Sequence, residues 1–341
     1  MELFALLFMA SLGLGALFTS SSDEETPPEE DPVLDGTDAD DELIGSAQDD
    51  TIRGESGDDT IYGNDGDDLI IGGDGSDIID GGDGEDELIG GNYAGAAEGG
   101  AIGDDILRGG AGDDVLHDST GDDELYGDDG DDVLRAISGD DVLHGGNGND
   151  SLYSFGGDGF AGGHNQLHGG AGDDILVARG GYHYSVGISF ETDELYGGDG
   201  NDDLTGFGTL DGGNGDDILR ATATVGETDT TTLTGGTGTD TFVVGAGFDP
   251  DLTGYGHYDG NGFVPAIDYD PVTITDFSVS TETLIITVGA GWPNTGITAY
   301  NYGDRVELTL DGPNGNEYVV AILQGVTGDI SGADIRVVGN S

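Results

Sequence analysis

The sequence contains no cysteine and no lysine, and both absences narrow the chemistry open to it. Without cysteine the chain has no disulfide, no thiolate zinc site and no cysteine nucleophile. Its seven basic residues, all arginine, stand against 71 acidic residues, which gives a formal net charge of -64. Such a charge repels nucleic acid and anionic lipid headgroups and favours cations as partners. A salt-adapted surface would also be acidic, but its carboxylates would be scattered, whereas these recur at fixed intervals.

The sequence carries no helix signals over residues 36–341. Glycine, by contrast, supplies 69 residues. Each glycine ordered in a regular element costs roughly 0.5 to 1 kcal/mol relative to alanine, because glycine loses more backbone freedom on folding. Something must offset that cost, and disulfides are excluded. Metal ions are the remaining way to hold such a chain together.

Long hydrophobic runs are also scarce, and the one clear example lies at the N-terminus, over residues 3–18. It is marginal for a membrane span, which needs about 20 residues. No basic residue precedes it and no small-residue cleavage site follows, so it fits a standard secretory signal poorly. We interpret residues 1–22 as an export or anchor segment, with a membrane tether through residues 3–22 as one alternative. The acidic, proline-containing residues 23–35 read as a linker.

Residues 36–245 repeat with a period of nine. Each regular copy carries an aspartate at its sixth place and an aliphatic residue two positions later, as in Asp59 with Ile61 and Asp77 with Ile79. Interruptions fall near residues 92–99, 154–160, 178–190 and 221–226. Asn165 and Thr231 take the acidic place in weaker copies, which we expect to bind metal poorly.

The copy at residues 72–80, Gly-Gly-Asp-Gly-Ser-Asp-Ile-Ile-Asp, shows how one repeat would fold. Its glycines permit a tight turn over the first six residues. The last three residues form a short strand with Ile79 pointing inward, since alternate side chains of a strand face opposite sides. Two copies make one coil of eighteen residues. The sequence therefore predicts an all-β fold, a right-handed parallel β-roll of two sheets.

In such a roll, residues eighteen apart occupy the same edge of successive coils. Asp59 and Asp77 would then lie roughly 5 Å apart, given the strand spacing of a sheet. Like charges at this separation repel by roughly 1 to 3 kcal/mol per pair. A cation between the coils converts the repulsion into coordination. About six to eight oxygen ligands at roughly 2.3 to 2.6 Å suit calcium, whereas magnesium demands a tighter octahedron and zinc prefers cysteine or histidine.

The tandem copies resemble the nonapeptide of RTX, or hemolysin-type, calcium-binding proteins, of form G-G-x-G-x-D-x-(apolar)-x. In that family the sixth-place aspartate and turn carbonyls bind several Ca²⁺ ions. The resemblance thus implies that the ligands are the side chains of Asp41, Asp50, Asp59, Asp68, Asp77, Asp86, Asp105, Asp114, Asp123, Asp132, Asp141, Asp150, Asp174, Asp202, Asp217 and Asp240, with the backbone carbonyls of Gly54, Gly57, Gly63, Gly66, Gly72, Gly73, Gly75, Gly81, Gly82, Gly84, Gly109, Gly110, Gly112, Gly127 and Gly130.

The family also implies export as an unfolded chain, with folding outside the cell triggered by calcium and a secretion signal at the C-terminus. That route does not require the apolar N-terminus, so a different export route or surface anchoring remains an alternative. The fifth-place acids, such as Asp58, Asp67, Asp113 and Asp131, are not family ligands, and we interpret them as exposed charges.

Residues 246–341 carry no repeat and contain segments rich in β-branched residues, for example over 283–288, with a further run over 318–323, which indicate strands. We predict a small antiparallel β-domain that closes the open end of the roll. The terminal segment 334–338 is compatible with a secretion signal.

No catalytic motif accompanies the repeats. None of the six histidines lies in an H-E-x-x-H arrangement, and no G-x-S-x-G elbow occurs. His164 and His168 are four residues apart, a spacing that can bind zinc when both lie on one face of a helix. They lie in a repeat copy instead, which disfavours a zinc site. We therefore predict a calcium-binding protein that is secreted or held at the cell surface and is not an enzyme. The alternatives are an adhesin or matrix protein whose C-terminal domain binds a cell-surface partner or polysaccharide, and a carbohydrate-active enzyme using paired carboxylates.

Overall fold

The computed structural model describes residues 33–91, 103–155, 163–179, 192–221, 231–246, 257–258, 263–264, 271–288, 296–311, 317–326 and 330–339. They belong to one compact unit, Val33–Ser341. Within these ranges the regular structure is entirely strand, and no helix long and apolar enough to cross a membrane is found. The predicted export or anchor segment lies outside the described residues.

Two large sheets contain nearly all the strands. Sheet A has thirteen, in the spatial order β1 (Val33–Asp35), β3 (Thr51–Ser56), β5 (Leu69–Asp74), β7 (Glu87–Ile89), β9 (Val115–His117), β11 (Val133–Ala136), β13 (Ser151–Phe155), β15 (Ile175–Arg179), β17 (Asp203–Gly206), β19 (Ile218–Ala221), β21 (Thr241–Ala246), β25 (Thr283–Val288) and β29 (Asp334–Gly339).

Sheet B has fourteen strands, in the order β2 (Glu42–Ile44), β4 (Thr60–Asp65), β6 (Ile78–Asp83), β8 (Ile106–Ala111), β10 (Glu124–Asp129), β12 (Val142–Asn147), β14 (Gln166–Ala171), β16 (Asp193–Asp199), β18 (Gly208–Asn214), β20 (Thr232–Thr237), β24 (Val272–Ile274), β28 (Glu317–Gln324), β27 (Arg305–Asp311) and β26 (Thr298–Asn301). A separate pair joins β22 (His257–Tyr258) to β23 (Phe263–Val264).

The chain alternates between the two sheets through the repeats, and each strand pairs in parallel with the strand one coil away. In sheet A, Ile52 is the register partner of Ile70, and in sheet B, Ile61 is the partner of Ile79. These four side chains are fully buried, and the aliphatic residues of the later copies continue both ladders. The predicted parallel β-roll, with its apolar ladder between two sheets, is confirmed.

The strands are longer than the repeat predicted. Strand β5 combines the last three residues of one copy with the first three of the next, so the turn shrinks to Gly75-Ser76-Asp77. The second glycine stays in the ladder, because Gly73 at φ 123° is the register partner of Glu55. The first glycine of each copy is not part of the strand pairing: Gly54 and Gly72 are skipped between the paired residues on either side. That local break matters for the site described below.

The length of a coil varies without loss of register. Leu88 pairs with Leu116, twenty-eight residues later, where the regular coil has eighteen. Leu195 pairs with Leu210, which makes one coil of fifteen residues. The residues of the four predicted interruptions lie largely outside the described ranges, yet the strands on either side of each resume the same ladders.

The strands beyond residue 246 differ from the expected antiparallel domain. Strands β25 and β29 extend sheet A in parallel, and β24 and β28 extend sheet B in parallel. Antiparallel pairing is found among β26, β27 and β28, and in the β22–β23 pair. Alternating β-branched residues suit either direction of pairing, so the sequence pattern did not separate the two. At the junction, Phe242 and Phe277 pack with ring centroids 6.0 Å apart.

Candidate metal centres at the two edges of the roll

The predicted aspartates form two rows, one along each edge of the roll. We call the row that precedes the sheet A strands the long column and the row that precedes the sheet B strands the short column. The long column contains Asp50, Asp68, Asp86, Asp114, Asp132, Asp150, Asp174, Asp202, Asp217 and Asp240. The short column contains Asp41, Asp59, Asp77, Asp105, Asp123 and Asp141, followed by Asn165 and Asp193.

Within each column, one carboxylate oxygen links neighbouring coils. Asp59 Oδ1 accepts a hydrogen bond from the Asp41 backbone N–H at 2.8 Å, and Asp77 Oδ1 accepts one from the Asp59 N–H at 2.9 Å. The same bond recurs along both columns. Aspartates eighteen residues apart therefore lie beside each other in successive coils, as the period predicted. All of the predicted aspartates except Asp41 and Asp50 are buried.

The second carboxylate oxygen of most of these aspartates has no hydrogen-bond partner. It is buried and unsatisfied in Asp59, Asp68, Asp77, Asp86, Asp114, Asp123, Asp132, Asp150, Asp174, Asp202, Asp217 and Asp240. A buried anionic oxygen left without a partner is costly, and a folded protein ordinarily pairs or coordinates it. Two rows of such oxygens therefore mark two rows of positions at which a cation would balance buried negative charge.

Each unsatisfied oxygen except that of Asp123, whose copy begins with Asp118, faces a small space beside the first glycine of its copy, which we call a cradle. At Gly54, an added Cβ would lie 2.5 Å from the Gly72 carbonyl oxygen of the next coil and closer still to Asp59 Oδ2. A carboxylate oxygen and a carbonyl oxygen thus converge on one point between two coils. Any side chain at this place would fill the cradle, which explains why the copy begins with glycine even though Gly54 has no left-handed backbone conformation.

The donors fit calcium. Carboxylate and carbonyl oxygens are the hard ligands that calcium takes from proteins, and the ion accepts irregular coordination. The carbonyls of Gly54, Gly63, Gly72, Gly81 and Gly109, which the family resemblance implies as ligands, point into cradles. The fourth-place glycines add a second row, since the Gly57 carbonyl contacts Gly75 of the next coil. The assignment of individual ligands remains a prediction.

Burial and mutual repulsion perturb the carboxyls strongly. Burial raises the pKa of Asp77, Asp114 and Asp132 from 3.8 to about 7, and the charges of neighbouring aspartates add to the effect. Burial, followed by the charge of Asp118, raises the pKa of Asp105 to about 8. Without a cation, these groups hold protons in the folded state that the unfolded chain releases near pH 4.

Protonation of the aspartates at acidic pH should therefore stabilise the calcium-free roll in part. Because the folded pKa values lie above the unfolded value of 3.8, the free energy of unfolding of the calcium-free chain should fall as pH rises from about 4 to about 7. We expect the calcium-free chain to show a far-ultraviolet β-sheet signal at about pH 4.5 and to lose it at about pH 7.5. Circular dichroism along this range tests it, and a signal that rises with pH would contradict it.

The two edges differ in what occupies the first place of each copy. The long column has glycine throughout, at Gly45, Gly63, Gly81, Gly109, Gly127, Gly145, Gly169, Gly197, Gly212 and Gly235. The short column has glycine at Gly36, Gly54, Gly72 and Gly90, then Asp118, then Ala136, Ser154 and Ala178. These last three stay in the strand register and are buried, Ala136 and Ala178 within the apolar core. The short column thus changes from glycine cradles to side-chain packing midway along the roll.

Two acids of the short column were missed by the sequence analysis. Asp193 continues the column after Asn165, and it could have been found because Leu195 follows it at the usual spacing. Asp118 takes the first-glycine place of its copy, where no ligand was expected. Asp105, Asp118 and Asp123 each bring one carboxylate oxygen within 4.8 Å of the others.

Asn165, which was expected to bind poorly, satisfies its own polar atoms. Its Nδ2 donates to the Gly163 carbonyl at 3.1 Å and to Asp193 Oδ1 at 3.2 Å. The amide N–H of Asn165 thus pairs with the Asp193 carboxylate, which a cation would do in the other copies. At the other weak copy, Thr231 is buried and takes the aspartate place of the short column.

The long column ends at Asp240. Glu282 follows it at the aspartate place, since Thr283 N donates to the Asp240 carbonyl as in earlier coils. Burial raises the pKa of Glu282 to about 7. Asp276 accepts hydrogen bonds from the backbone of Gly235 and Gly236 at 3.0 and 2.8 Å. Two acids from outside the repeats therefore cover the end of the column.

The fifth-place acids form a separate exposed ladder. Asp40 Oδ1 accepts from the Asp58 N–H at 3.1 Å, and Asp113 Oδ1 accepts from the Asp131 N–H at 2.9 Å. Their hydrogen bonds run opposite to those of the columns, because here the later residue donates. These acids lie at the solvent side of the turns, as exposed charges.

The remaining candidates lie apart from the columns. His168 is stacked on sheet B between His144 and Tyr196, at centroid distances of 4.7 and 5.0 Å, while His164 faces Glu194 at 3.9 Å. Tyr300 and Tyr302, in the C-terminal part of the chain, are exposed at edge strand β26 and beside it.

A match to a known protein family agrees with the geometry. The family model described as "RTX calcium-binding nonapeptide repeat (4 copies)" matches residues 35–70, 62–92, 99–134, 136–158, 161–182, 191–208, 209–223 and 232–249. Among solved structures, the extracellular lipase LipA from Serratia marcescens is similar at 18% identity and a TM-score of 0.20, over 76% of this chain and 44% of the lipase chain. The chain thus spans less than half of that protein. No curated protein sequence matched.

Proposed function

Because the chain belongs to the RTX calcium-binding nonapeptide repeat family, we propose that it is an extracellular protein whose roll is held together by calcium ions along both edges. The observation that carries the proposal is the pair of columns of buried carboxylate oxygens without hydrogen-bond partners, all but one of which face a glycine cradle. Its role is structural binding rather than catalysis, since nearly all of the buried acids in the described ranges belong to these columns.

The cradles also support a proposal about how many ions each edge holds. In the long column, ten aspartates from Asp50 to Asp240 accompany ten glycines and leave nine intervals between coils. In the short column, the unbroken run of glycine or aspartate at the first place ends at Asp118, which leaves the four intervals between Asp41 and Asp123, and the later Gly206 packs against Leu195 and Ala178. We propose that calcium fills the long column along its length and the short column in its first half.

Calcium would then couple folding to location. A chain of net charge -64 with two columns of like charges resists compaction until a divalent cation is present. Binding to the folded form alone shifts the folding equilibrium by mass action. A low-calcium compartment therefore favours the unfolded chain, and a calcium-rich exterior favours the roll. This supports a protein that folds after export and is either secreted or held at the cell surface.

Calorimetric titration of the calcium-free full chain tests the proposed function. We expect a large number of ions per chain, with the gain of β-structure by circular dichroism tracking the heat of binding. Absence of calcium uptake at millimolar calcium would reject the proposal.

Single ligand variants test the assignment of the columns. Asp68→Ala and Asp77→Ala each remove one carboxylate that faces two coils, so we expect each to lower the calcium count by one or two and to raise the calcium concentration at half-folding. Asp67→Ala is the matched control, because this exposed neighbour belongs to the fifth-place ladder. Equal ion counts for Asp68→Ala and Asp67→Ala would show that the assignment is wrong.

A further inference from the structure

The last cradle of the short column is built differently from the others. At Gly54 the point beside the glycine is shared by a carboxylate oxygen and a backbone carbonyl. At Gly90 the corresponding point lies 2.6 Å from Asp105 Oδ2, and its nearest atom is Asp118 Oδ2. A second carboxylate therefore takes the place of the carbonyl ligand.

Asp118 is fixed in this orientation by its own turn. Its Oδ1 accepts hydrogen bonds from the backbone N–H of Ser119 and, at 3.2 Å, of Thr120. Its Oδ2 has no hydrogen-bond partner, and the residue has no exposed surface. The unsatisfied oxygen is thus aimed at Asp105 and the Gly90 cradle by a local structure that does not depend on a ligand.

Asp123, in the next coil, completes the group. One carboxylate oxygen from each of Asp105, Asp118 and Asp123 lies within 4.8 Å of the other two, and all three residues are buried. Three buried carboxylates at this separation repel strongly unless a cation neutralises them. A role for Asp118 as inert packing would call for an apolar residue, as found at Ala136 one coil later.

We propose that Asp105, Asp118 and Asp123 form a three-carboxylate cation site that ends the short column and binds calcium more tightly than the glycine cradles. The inference rests on calcium binding by the roll and assigns its tightest site. The third carboxylate adds a full negative charge where the other cradles offer a neutral carbonyl. The same charge makes this the site that best accommodates a trivalent cation.

The test is a calcium titration of full-length Asp118→Asn by calorimetry. We expect the wild-type chain to bind one ion ahead of the rest, and the variant to lose that phase with a fall in affinity of at least roughly tenfold. Asp122→Asn is the matched control, because Asp122 is an exposed acid of the same copy whose Oδ1 only accepts the Asp140 N–H. It should keep the tight phase.

Lanthanum gives a second readout. One equivalent of La³⁺ per chain should resist displacement by excess calcium in the wild type and in Asp122→Asn, but not in Asp118→Asn. Asp118→Gly restores the residue of the other cradles and guards against a folding defect. This variant should keep the total ion count and lose only the tight phase.

The outcomes separate this inference from the proposed function. A wild-type chain that takes up no calcium rejects the proposed function itself. A chain that binds many ions but shows equal affinities in wild type and Asp118→Asn rejects the three-carboxylate site alone. Tighter binding in Asp118→Asn or Asp118→Gly would show that Asp118 fills the cradle in place of an ion, and would also reject it.

Discussion

Removal of calcium at neutral pH is expected to unfold most of the roll. Repulsion of roughly 1 to 3 kcal/mol per neighbouring pair, repeated along two columns, exceeds the roughly 5 to 15 kcal/mol by which domains are usually stable. Circular dichroism and limited proteolysis of the full chain in chelator should show loss of β-structure and rapid cleavage, both reversed by calcium.

Magnesium at the same ionic strength is the control. It screens charge equally well but prefers a tighter octahedron and retains water, so it should restore much less β-structure than calcium. A chelated chain that keeps its full β-sheet signal would mean that the apolar ladders alone sustain the fold. Full recovery in magnesium would mean that screening, and not coordination, is what the columns require.

A methyl group placed in one cradle of the long column should disrupt calcium binding at that cradle and lower the stability of the roll. In Gly127→Ala the new Cβ would lie 2.6 Å from the Gly145 carbonyl oxygen and closer still to Asp132 Oδ2. We expect the loss of one or two ions and a stability loss of about 1 to 3 kcal/mol in saturating calcium, typical of overpacking. Calorimetry gives the ion count, and thermal unfolding at fixed calcium gives the stability.

Gly206→Ala is the matched control on the other edge. Its Cβ would lie 3.3 Å from Leu195 Cδ2 and 3.5 Å from the Ala178 Cβ, which is close to ordinary packing. Neither glycine has a left-handed backbone, so conformational strain does not distinguish them. We expect Gly206→Ala to keep every ion and to change stability by less than about 1 kcal/mol. Equal losses in both variants would show that the cradle has no special role.

The period of nine was sufficient to predict the roll and the neighbours within it. Two signals in one phase, an aspartate and an aliphatic residue two positions later, allow only one register. The repeat alone therefore places Asp59 beside Asp77 and Ile61 beside Ile79, and both pairs are neighbours in the fold. The fixed spacing of parallel strands converts such a phase directly into distances.

The features that were missed depend on information that the period does not carry. The turn was expected to span six residues and spans three, because Gly73 keeps its place in the ladder despite a positive φ. Beyond residue 246 there is no repeat to set a direction, so parallel continuation was not distinguished from an antiparallel domain. Asp118 was overlooked because it stands at a glycine place, and its importance emerges only when Gly90 and Asp105 are seen beside it.

Coils of fifteen, eighteen and twenty-eight residues stack in one register, so the spacing of the ladder is independent of the length of chain between strands. The ladder thus accepts segments of different length between its strands. Foreign peptides inserted where the natural interruptions fall should therefore leave the flanking strands in register, which makes the stacked coils a support for multivalent display.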